Sequence, residues 1–163
     1  MIVLVGFMGA GKTTVGRLLA AKLGLPFTDS DLVIEKRAGK PIRQIFADEG
    51  EPAFRQLEHE VIADLVGAQG SVLALGGGAA VHPGTRRLLA AVPVVYLRVS
   101  YAEAINRVGG DRGRPMLARP DVERVYAERD PLYAAAARCT VDTDGRPPEE
   151  IALDILARLD ADR

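Results

Sequence analysis

A glycine-rich turn near the start of the chain constrains its fold more than any other feature. Residues 6–13 read Gly-Phe-Met-Gly-Ala-Gly-Lys-Thr and fit the pattern G-x-x-x-x-G-K-[ST] at every fixed position. The preceding run, Ile2–Val5, is apolar and rich in β-branched residues, which is typical of a strand buried on both faces. Helical periodicity follows over 13–23 and ends at Gly24. This order of strand, turn and helix predicts an α/β fold with the turn at the carboxyl edge of a parallel sheet.

The turn carries the groups that bind a phosphate chain. Its glycines let successive backbone N–H groups point at phosphate oxygens, and the following helix adds the positive end of its dipole. The Lys12 ammonium can reach the β- and γ-phosphates, while the Thr13 hydroxyl can bind Mg²⁺. A dinucleotide fingerprint is excluded, because its third glycine would stand at position 14. The sequence therefore predicts a nucleoside triphosphate site formed by Gly9, Ala10, Gly11, Lys12, Thr13 and Thr14.

Short apolar runs alternate with helical segments along the rest of the chain. Strands are predicted at 2–5, 25–29, 71–75, 92–99 and 139–142. Helices are predicted at 13–23, 83–90, 101–108, 122–137 and from 148 onward, with helical pieces over 31–67 broken at 39–41 and 50–52. The length of 163 residues suits one domain. We therefore expect a single α/β domain over 1–163, in which a five-stranded parallel sheet carries helices on both faces.

Composition excludes several classes of protein. The net charge of -1 gives no reason to expect a nucleic-acid or membrane partner. Cys139 is the single cysteine, which excludes an internal disulfide, and two histidines in the whole chain argue against a histidine metal site. No basic leader and no apolar run of membrane-spanning length is present. We expect a cytoplasmic monomer whose partners are small molecules.

Two further observations favour a kinase over other phosphate-loop proteins. The chain lacks the Asn-Lys-x-Asp element with which a GTPase reads its base, and its third strand runs into Gly76 to Gly78 rather than into aspartate. Asp29 and Asp31 follow the second strand, and in an extended chain their carboxylates would point the same way, one towards Mg²⁺ and one towards an acceptor hydroxyl. The alternative is a solvated turn with a helix cap at Ser30 or Asp31.

Two motifs remain open when each is considered alone. The three glycines after the third strand indicate either positive φ angles, a close approach of the backbone, or simply a flexible turn. Arg55 and Glu58 lie one helical turn apart, and an ordinary surface pair is the simplest interpretation of that spacing.

Together these elements resemble the shikimate kinase family, nearly from end to end. Several motifs in the family's order are far more specific than any one of them. They are residues 6–14, Asp29-Ser30-Asp31, Ile45-Phe46, Gly50-Glu51, Phe54-Arg55-x-x-Glu58, Leu75-Gly76-Gly77-Gly78, Arg114-Pro115-Met116-Leu117, Arg129-Asp130-Pro131-Leu132-Tyr133 and Val141-Asp142-Thr143. The stretch from Arg114 to Arg129 is shorter than is usual in the family, with a deletion within 118–122.

The resemblance implies transfer of the γ-phosphoryl group of Mg-ATP to the 3-hydroxyl of shikimate, a step in making aromatic amino acids. In the acceptor-binding helical region over about 31–67, Asp31 would contact the acceptor hydroxyls as base or positioning group. Arg55 and Arg129 would bind the carboxylate, and the backbone of Gly76, Gly77 and Gly78 would approach the ring. Asp29 would support Mg²⁺ from beyond its direct ligands.

On the donor side, the resemblance implies a mobile lid over about 109–120. Within it, Arg114 would close over the phosphates and, with Lys12, stabilise the charge that develops during transfer. Arg107, Arg146 and Pro148 would flank the adenine. Two rival functions remain open: a related carboxylated-polyol kinase such as a gluconate kinase, and a non-catalytic module that binds ATP or shikimate.

Overall fold

Five parallel strands form one sheet in a computed structural model that describes residues 1–68, 70–108 and 121–162. The strands are β1 (Ile2–Val5), β2 (Phe27–Asp29), β3 (Val72–Ala74), β4 (Val94–Arg98) and β5 (Cys139–Asp142). Their order is β2-β3-β1-β4-β5, and all four pairings are parallel. The chain thus fills one side of β1 before crossing to the other, an arrangement that opens a crevice at the carboxyl ends of the strands.

Helices connect the strands and cover the sheet. They are α1 (Lys12–Leu23), α2 (Ser30–Ala38), α3 (Ile42–Glu49), α4 (Glu51–Gly67), α5 (Pro83–Leu89), α6 (Tyr101–Val108), α7 (Val122–Ala136) and α8 (Pro148–Ala161), with a 3₁₀ turn at Ala79–Val81. The predicted fold class is confirmed, and the predicted breaks at 39–41 and 50–52 separate α2, α3 and α4. None of the described helices is long and apolar enough to cross a membrane.

The predicted strands differ from the observed ones mainly at their ends. The fourth strand was expected over 92–99, whereas paired residues extend only over Val94–Arg98. The second is shorter at its start, because the chain joins the ladder at Phe27. Apolar composition marks burial rather than pairing: Val99 is 1% exposed although it lies beyond the end of the ladder.

Two apolar clusters hold the layers together. The larger lies on the sheet, where Val3, Leu4, Leu73, Val95 and Leu97 are each at most 1% exposed. The smaller lies between α2, α3 and α4 and consists of Ile34, Ile45, Phe54 and Val61, with Phe46 packed on Phe54 at a centroid distance of 4.7 Å. The helical region over 31–67 therefore has a core of its own, which holds its helices as a unit beside the sheet edge.

Gly16 lets α1 pack closely on the sheet, and this contact can be tested. A Cβ at this position would overlap the ring of Phe27 and lie 3.3 Å from Leu4 Cδ1. We expect Gly16→Ala to lower the free energy of unfolding by about 1–3 kcal/mol, because overpacking outweighs the gain in helix propensity. Gly67→Ala is the control, since no heavy atom lies within 4 Å of its added carbon. Urea denaturation of both variants checks this; equal shifts in the same direction would contradict it.

Candidate active site

The glycine-rich turn between β1 and α1 curves through two left-handed residues. Gly9 has φ 80° and Gly11 has φ 90°, conformations that disfavour other residues. Space is also short at Gly9, where a Cβ would lie 3.0 Å from the carbonyl oxygen of Ala104 on α6. The Lys12 ammonium donates to the carbonyls of Gly6 and Phe7, at 2.7 and 3.1 Å, so its charge lies over the turn itself. The turn thus has the form that wraps a phosphate chain.

Asp29 and Asp31 lie beside this turn, but not as an extended pair. Helix α2 begins at Ser30, so Asp31 belongs to its first turn and the expectation of an extended chain is wrong. The cap is Asp29, whose Oδ1 accepts the Asp31 N–H at 2.9 Å, rather than Ser30 or Asp31. A carboxylate at the helix N-terminus is stabilised by the free N–H groups there, and this competes successfully with further strand pairing. Both carboxylates still line the same crevice.

The oxygen atoms of Thr13 and Asp29 fit a magnesium ion held mainly by substrate phosphates. Thr13 Oγ1 lies 3.4 Å from Asp29 Oδ2, on the side of the turn that faces the crevice. Mg²⁺ prefers oxygen ligands and binds through one or two protein groups together with phosphates and water. In residues 1–68, 70–108 and 121–162, no group of three or more His, Cys, Asp or Glu could hold a metal without such phosphates.

Burial and charge raise the pKa of Asp31 to about 6. Desolvation is the largest cause and the neighbouring charge of Asp29 the next, while Lys12 and Arg55 act in the opposite direction. The Asp31 carboxylate is thus a stronger proton acceptor than an exposed aspartate. This property suits a group that must interact with a hydroxyl proton.

The triple glycine after β3 is explained by close approach, not by positive φ. None of its three residues lies in the left-handed region. A Cβ on Gly76 would lie 2.5 Å from Asp31 Oδ1, and one on Gly78 would overlap the Arg55 guanidinium. The Gly76 N–H also donates to the buried Ser30 hydroxyl at 3.1 Å. The glycines therefore make room for charged side chains that lie directly on the backbone.

Arg55 and Glu58 form a buried ion pair, so the interpretation as an ordinary surface pair is wrong. Arg55 Nη1 lies 2.7 Å from Glu58 Oε1, with side-chain exposures of 11% and 2%. Glu58 Oε2 and Arg55 Nε have no hydrogen-bond partner in the described part of the chain. Desolvation, opposed by Arg55, raises the pKa of Glu58 to about 7. Sequence spacing showed the pair but could not show that a glycine backbone would bury it.

Arg129 approaches the same place from α7. It is 5% exposed, and burial lowers the pKa of its guanidinium. Its Nη1 lies 3.8 Å from where a Gly77 Cβ would stand. Four residues further along α7, the buried hydroxyl of Tyr133 donates to the Gly77 carbonyl oxygen. Sequence analysis had not counted Tyr133 among the site residues, although it ends the Arg129-Asp130-Pro131-Leu132-Tyr133 motif.

Two cavities meet at this edge of the sheet. The larger, of about 740 Å³, is lined by the glycine-rich turn, Asp29 and Arg107. The smaller, of about 120 Å³, is lined by Arg55, Glu58, Arg129 and the triple glycine, together with Phe46 and Phe54. They share five residues: Met8, Asp31, Ile42, Gly76 and Gly77. Met8, Ile42, Phe46 and Phe54 were not expected in the site, because apolar residues at helical spacing indicate core rather than a pocket wall.

The remaining predicted residues lie in different settings. Arg107 donates to the Gly9 carbonyl at 2.9 Å and to Thr143, which places it against the phosphate turn. Arg146 is paired with Glu150 and Asp154, each at 3.0 Å, and Pro148 begins α8; neither lines either cavity. Arg114, the expected lid over 109–120 and most of the shortened segment lie outside the described residues.

The cavity at the phosphate-binding turn joins a small arginine-lined pocket at Asp31. This is the arrangement of a phosphate-loop kinase with a small anionic acceptor.

Comparison with known proteins identifies the family within this class. The sequence matches the shikimate kinase family model over residues 8–160. A shikimate kinase from Salinispora arenicola is 50% identical over 162 residues, covering 98% of this chain and 97% of the relative. One from Pseudomonas syringae pv. tomato is also 50% identical, over 97% and 95%. The chain therefore belongs to the shikimate kinase family, as its motifs indicated.

Solved structures agree with this assignment. The shikimate kinase from Acinetobacter baumannii in complex with shikimate is 40% identical and superposes with a TM-score of 0.94, covering 99% of this chain and 93% of that one. A gluconokinase from Sinorhizobium meliloti has a TM-score of 0.61 at 22% identity, over 97% and 91% of the two chains. That second likeness shows a shared fold alone.

The burial of Glu58 predicts how stability depends on pH. Its pKa is raised from the ordinary 4.5 to about 7, so the folded protein binds more protons than the unfolded chain between those values. The free energy of unfolding should therefore fall as pH rises from about 5 to 7, by about 1–3 kcal/mol from this group. Glu58→Gln cannot titrate and should show a shallower decline.

Urea denaturation at pH 5, 6, 7 and 8 measures this slope. Glu60→Gln is the matched control, because Glu60 is exposed on the same helix and bonded to Gln56 at 3.3 Å. Its slope should equal that of the unmodified protein. Parallel slopes for Glu58→Gln and the unmodified protein would contradict the assignment.

Proposed function

We propose that the protein transfers the γ-phosphoryl group of ATP to the 3-hydroxyl of shikimate, giving shikimate 3-phosphate and ADP. The observation that carries this proposal is the small pocket in which Arg55 and Arg129 face a glycine backbone and Asp31 stands at the opening to the phosphate turn. The resemblance to a shikimate kinase solved with shikimate supports the same acceptor. The reaction would serve the synthesis of aromatic amino acids.

The acceptor carboxylate would bind between Arg55 and Arg129. Arg129 is buried, and among the described residues it forms no salt bridge. A desolvated guanidinium that forms no salt bridge favours an anionic ligand, and its planar donors match the two oxygens of a carboxylate. The Arg55 guanidinium is held in a fixed direction by two carboxylates, that of Glu58 at 2.7 Å from Nη1 and that of Glu51 at 3.6 Å from Nη2. Gly76, Gly77 and Gly78 would allow the ring to lie against the backbone.

Asp31 would hold the attacking hydroxyl. Its carboxylate stands where the two cavities join, within the field of Lys12 and Arg55. It would accept a hydrogen bond from the 3-hydroxyl, orient the oxygen towards the γ-phosphorus, and take up the proton as the new P–O bond forms. Phosphoryl transfer needs positioning and positive charge more than covalent chemistry, so this modest role is sufficient.

The phosphate turn would hold the donor. Backbone N–H groups from Gly9 to Thr14 and the Lys12 ammonium would bind the β- and γ-phosphates, and Arg114 would add positive charge from the proposed lid. Arg107, Arg146 and Pro148 would lie around the adenine. Thr13 would bind Mg²⁺ directly and Asp29 would support it from beyond its direct ligands; when bound, the ion would supply positive charge that offsets the charge of the phosphates. We propose that this occurs in a cytoplasmic monomer without nucleic-acid or membrane partners.

The acceptor can be tested directly against the rival polyol and nucleotide kinases. Release of ADP from Mg-ATP should be fast with shikimate and at least about a hundredfold slower in kcat/KM with gluconate or nucleoside monophosphates, because only shikimate presents both carboxylate and ring hydroxyls at the pocket's spacing. A coupled assay measures this. Turnover with gluconate at equal efficiency, or binding of shikimate without ADP release, would reject the proposal in favour of a gluconate kinase or a non-catalytic module.

Replacement of Asp31 tests its role in the transfer step. Asp31→Asn keeps the shape but cannot accept the proton, so kcat should fall by about 10²–10⁴-fold while ATP affinity changes less than about threefold. Asp48→Asn is the matched control, since Asp48 is exposed and paired with Lys40 at 2.9 Å. Steady-state kinetics and ATP titration calorimetry supply both values. An unchanged kcat in Asp31→Asn would remove Asp31 from the mechanism.

A further inference from the structure

Tyr133 connects α7 to the triple glycine through a single buried hydroxyl. The residue is 1% exposed, and its ring packs on Tyr96 of β4 at a centroid distance of 5.1 Å. The hydroxyl donates to the Gly77 carbonyl oxygen. Because the group is cut off from water, its hydrogen bonds must be made within the protein.

This bond orients the peptide between Gly77 and Gly78. The peptide is trans, so its carbonyl and its N–H point in opposite directions. Binding of the carbonyl by Tyr133 turns the Gly78 N–H away from α7. That N–H has no hydrogen-bond partner among the described residues, and Gly78 lines the small acceptor pocket. Glycines have little conformational preference of their own, so an outside contact is needed to hold such a peptide in one orientation.

The same side chain lies beside Arg129. The two residues lie four apart on α7 and so share one face of the helix. The Arg129 guanidinium also approaches Gly77, with its Nη1 3.8 Å from where a Cβ on that residue would stand. A guanidinium can only donate, whereas a hydroxyl donates once and accepts as well. Because the Tyr133 hydroxyl donates to Gly77, its oxygen lone pairs are what it offers to Arg129.

We propose that Tyr133 is a positioning residue for the acceptor, holding the Gly77–Gly78 peptide and the Arg129 guanidinium in the orientation that binds the acceptor carboxylate. It does not touch the acceptor; it acts through these two groups. The inference rests on the proposed function, because the carboxylate it serves is that of shikimate. Loss of the hydroxyl removes the bond that fixes this peptide and takes away a polar group beside the buried guanidinium.

Tyr126 offers a control of the same chemistry. It lies on the same helix, and its hydroxyl donates to a backbone carbonyl, that of Val99, at 2.6 Å. Tyr126 does not line the small pocket. Tyr126→Phe and Tyr133→Phe therefore each remove one tyrosine-to-carbonyl bond between α7 and the sheet layer, but only the second removes it at the acceptor pocket.

The test compares these two variants with the unmodified protein in steady-state kinetics. For Tyr133→Phe we expect the KM for shikimate to rise at least about tenfold, since the peptide that faces the carboxylate loses its fixed orientation, while the KM for ATP changes less than about twofold. For Tyr126→Phe the KM for shikimate should stay within about twofold of the unmodified value. A purely structural role would move both variants alike and would not separate the two substrates.

A second measurement does not depend on turnover. Saturating shikimate should raise the thermal midpoint of the unmodified protein and of Tyr126→Phe, and raise that of Tyr133→Phe clearly less at the same concentration. An equal rise in all three, or an unchanged shikimate KM in Tyr133→Phe beside normal activity of the unmodified protein, would overturn the positioning role alone. Absence of shikimate turnover in the unmodified protein would overturn the proposed function and this inference with it.

Discussion

The ion pair between Arg55 and Glu58, buried against a backbone without side chains, is the interaction on which the acceptor end of the site depends. Its Nη1–Oε1 distance is 2.7 Å, and Gly78 leaves the space that the guanidinium occupies. Removing charged groups from water costs several kcal/mol per ion, and one pair does not fully offset that cost. The apolar clusters on the sheet and between α2, α3 and α4 supply the remaining stability. The buried ion pair therefore lowers the stability of the folded protein while it fixes the geometry of the site.

The charged side chains near this pair differ between the two cavities that meet at the sheet edge. Lys12 and the glycine-rich turn line the larger cavity, the proposed donor end, while Arg55 and Arg129 line the smaller one, the proposed acceptor end. Asp31 stands between them, and burial beside Asp29 raises its pKa. In the proposed reaction, Lys12 and Arg55 would offset the repulsion between this carboxylate and the phosphate chain. The position of helix α7 also matters, because this helix places Arg129 beside the triple glycine.

Much of this was predictable from sequence, for reasons that particular residues illustrate. The phosphate turn could be located because its glycines, Lys12 and Thr13 are adjacent in the chain and their spacing is set by backbone geometry. Helix α6 and strand β5 were predicted with their observed ends, since periodicity and burial coincide there. The prediction that Asp29 and Asp31 lie in extended chain was wrong. Asp29 caps α2, so the helix begins at Ser30 and Asp31 is helical. The spacing of Arg55 and Glu58 considered alone favoured a surface pair, because helical spacing does not reveal burial; only the family resemblance assigned Arg55 to the acceptor.

The sequence by itself determined the class of fold, the position of the glycine-rich turn and the family, because these depend on short-range patterns and on motifs in a fixed order. Only the tertiary structure decided what the triple glycine is for. Its role depends on side chains from α2, α4 and α7, which are distant in the chain and meet only after the sheet forms. Tyr133 shows the same limit: 56 positions separate it from Gly77, and no local pattern could connect its hydroxyl to that carbonyl. The phosphate turn could be predicted from local spacing because its contacts are local. The residues of the small pocket were named only through the family resemblance, because their contacts are made across the fold.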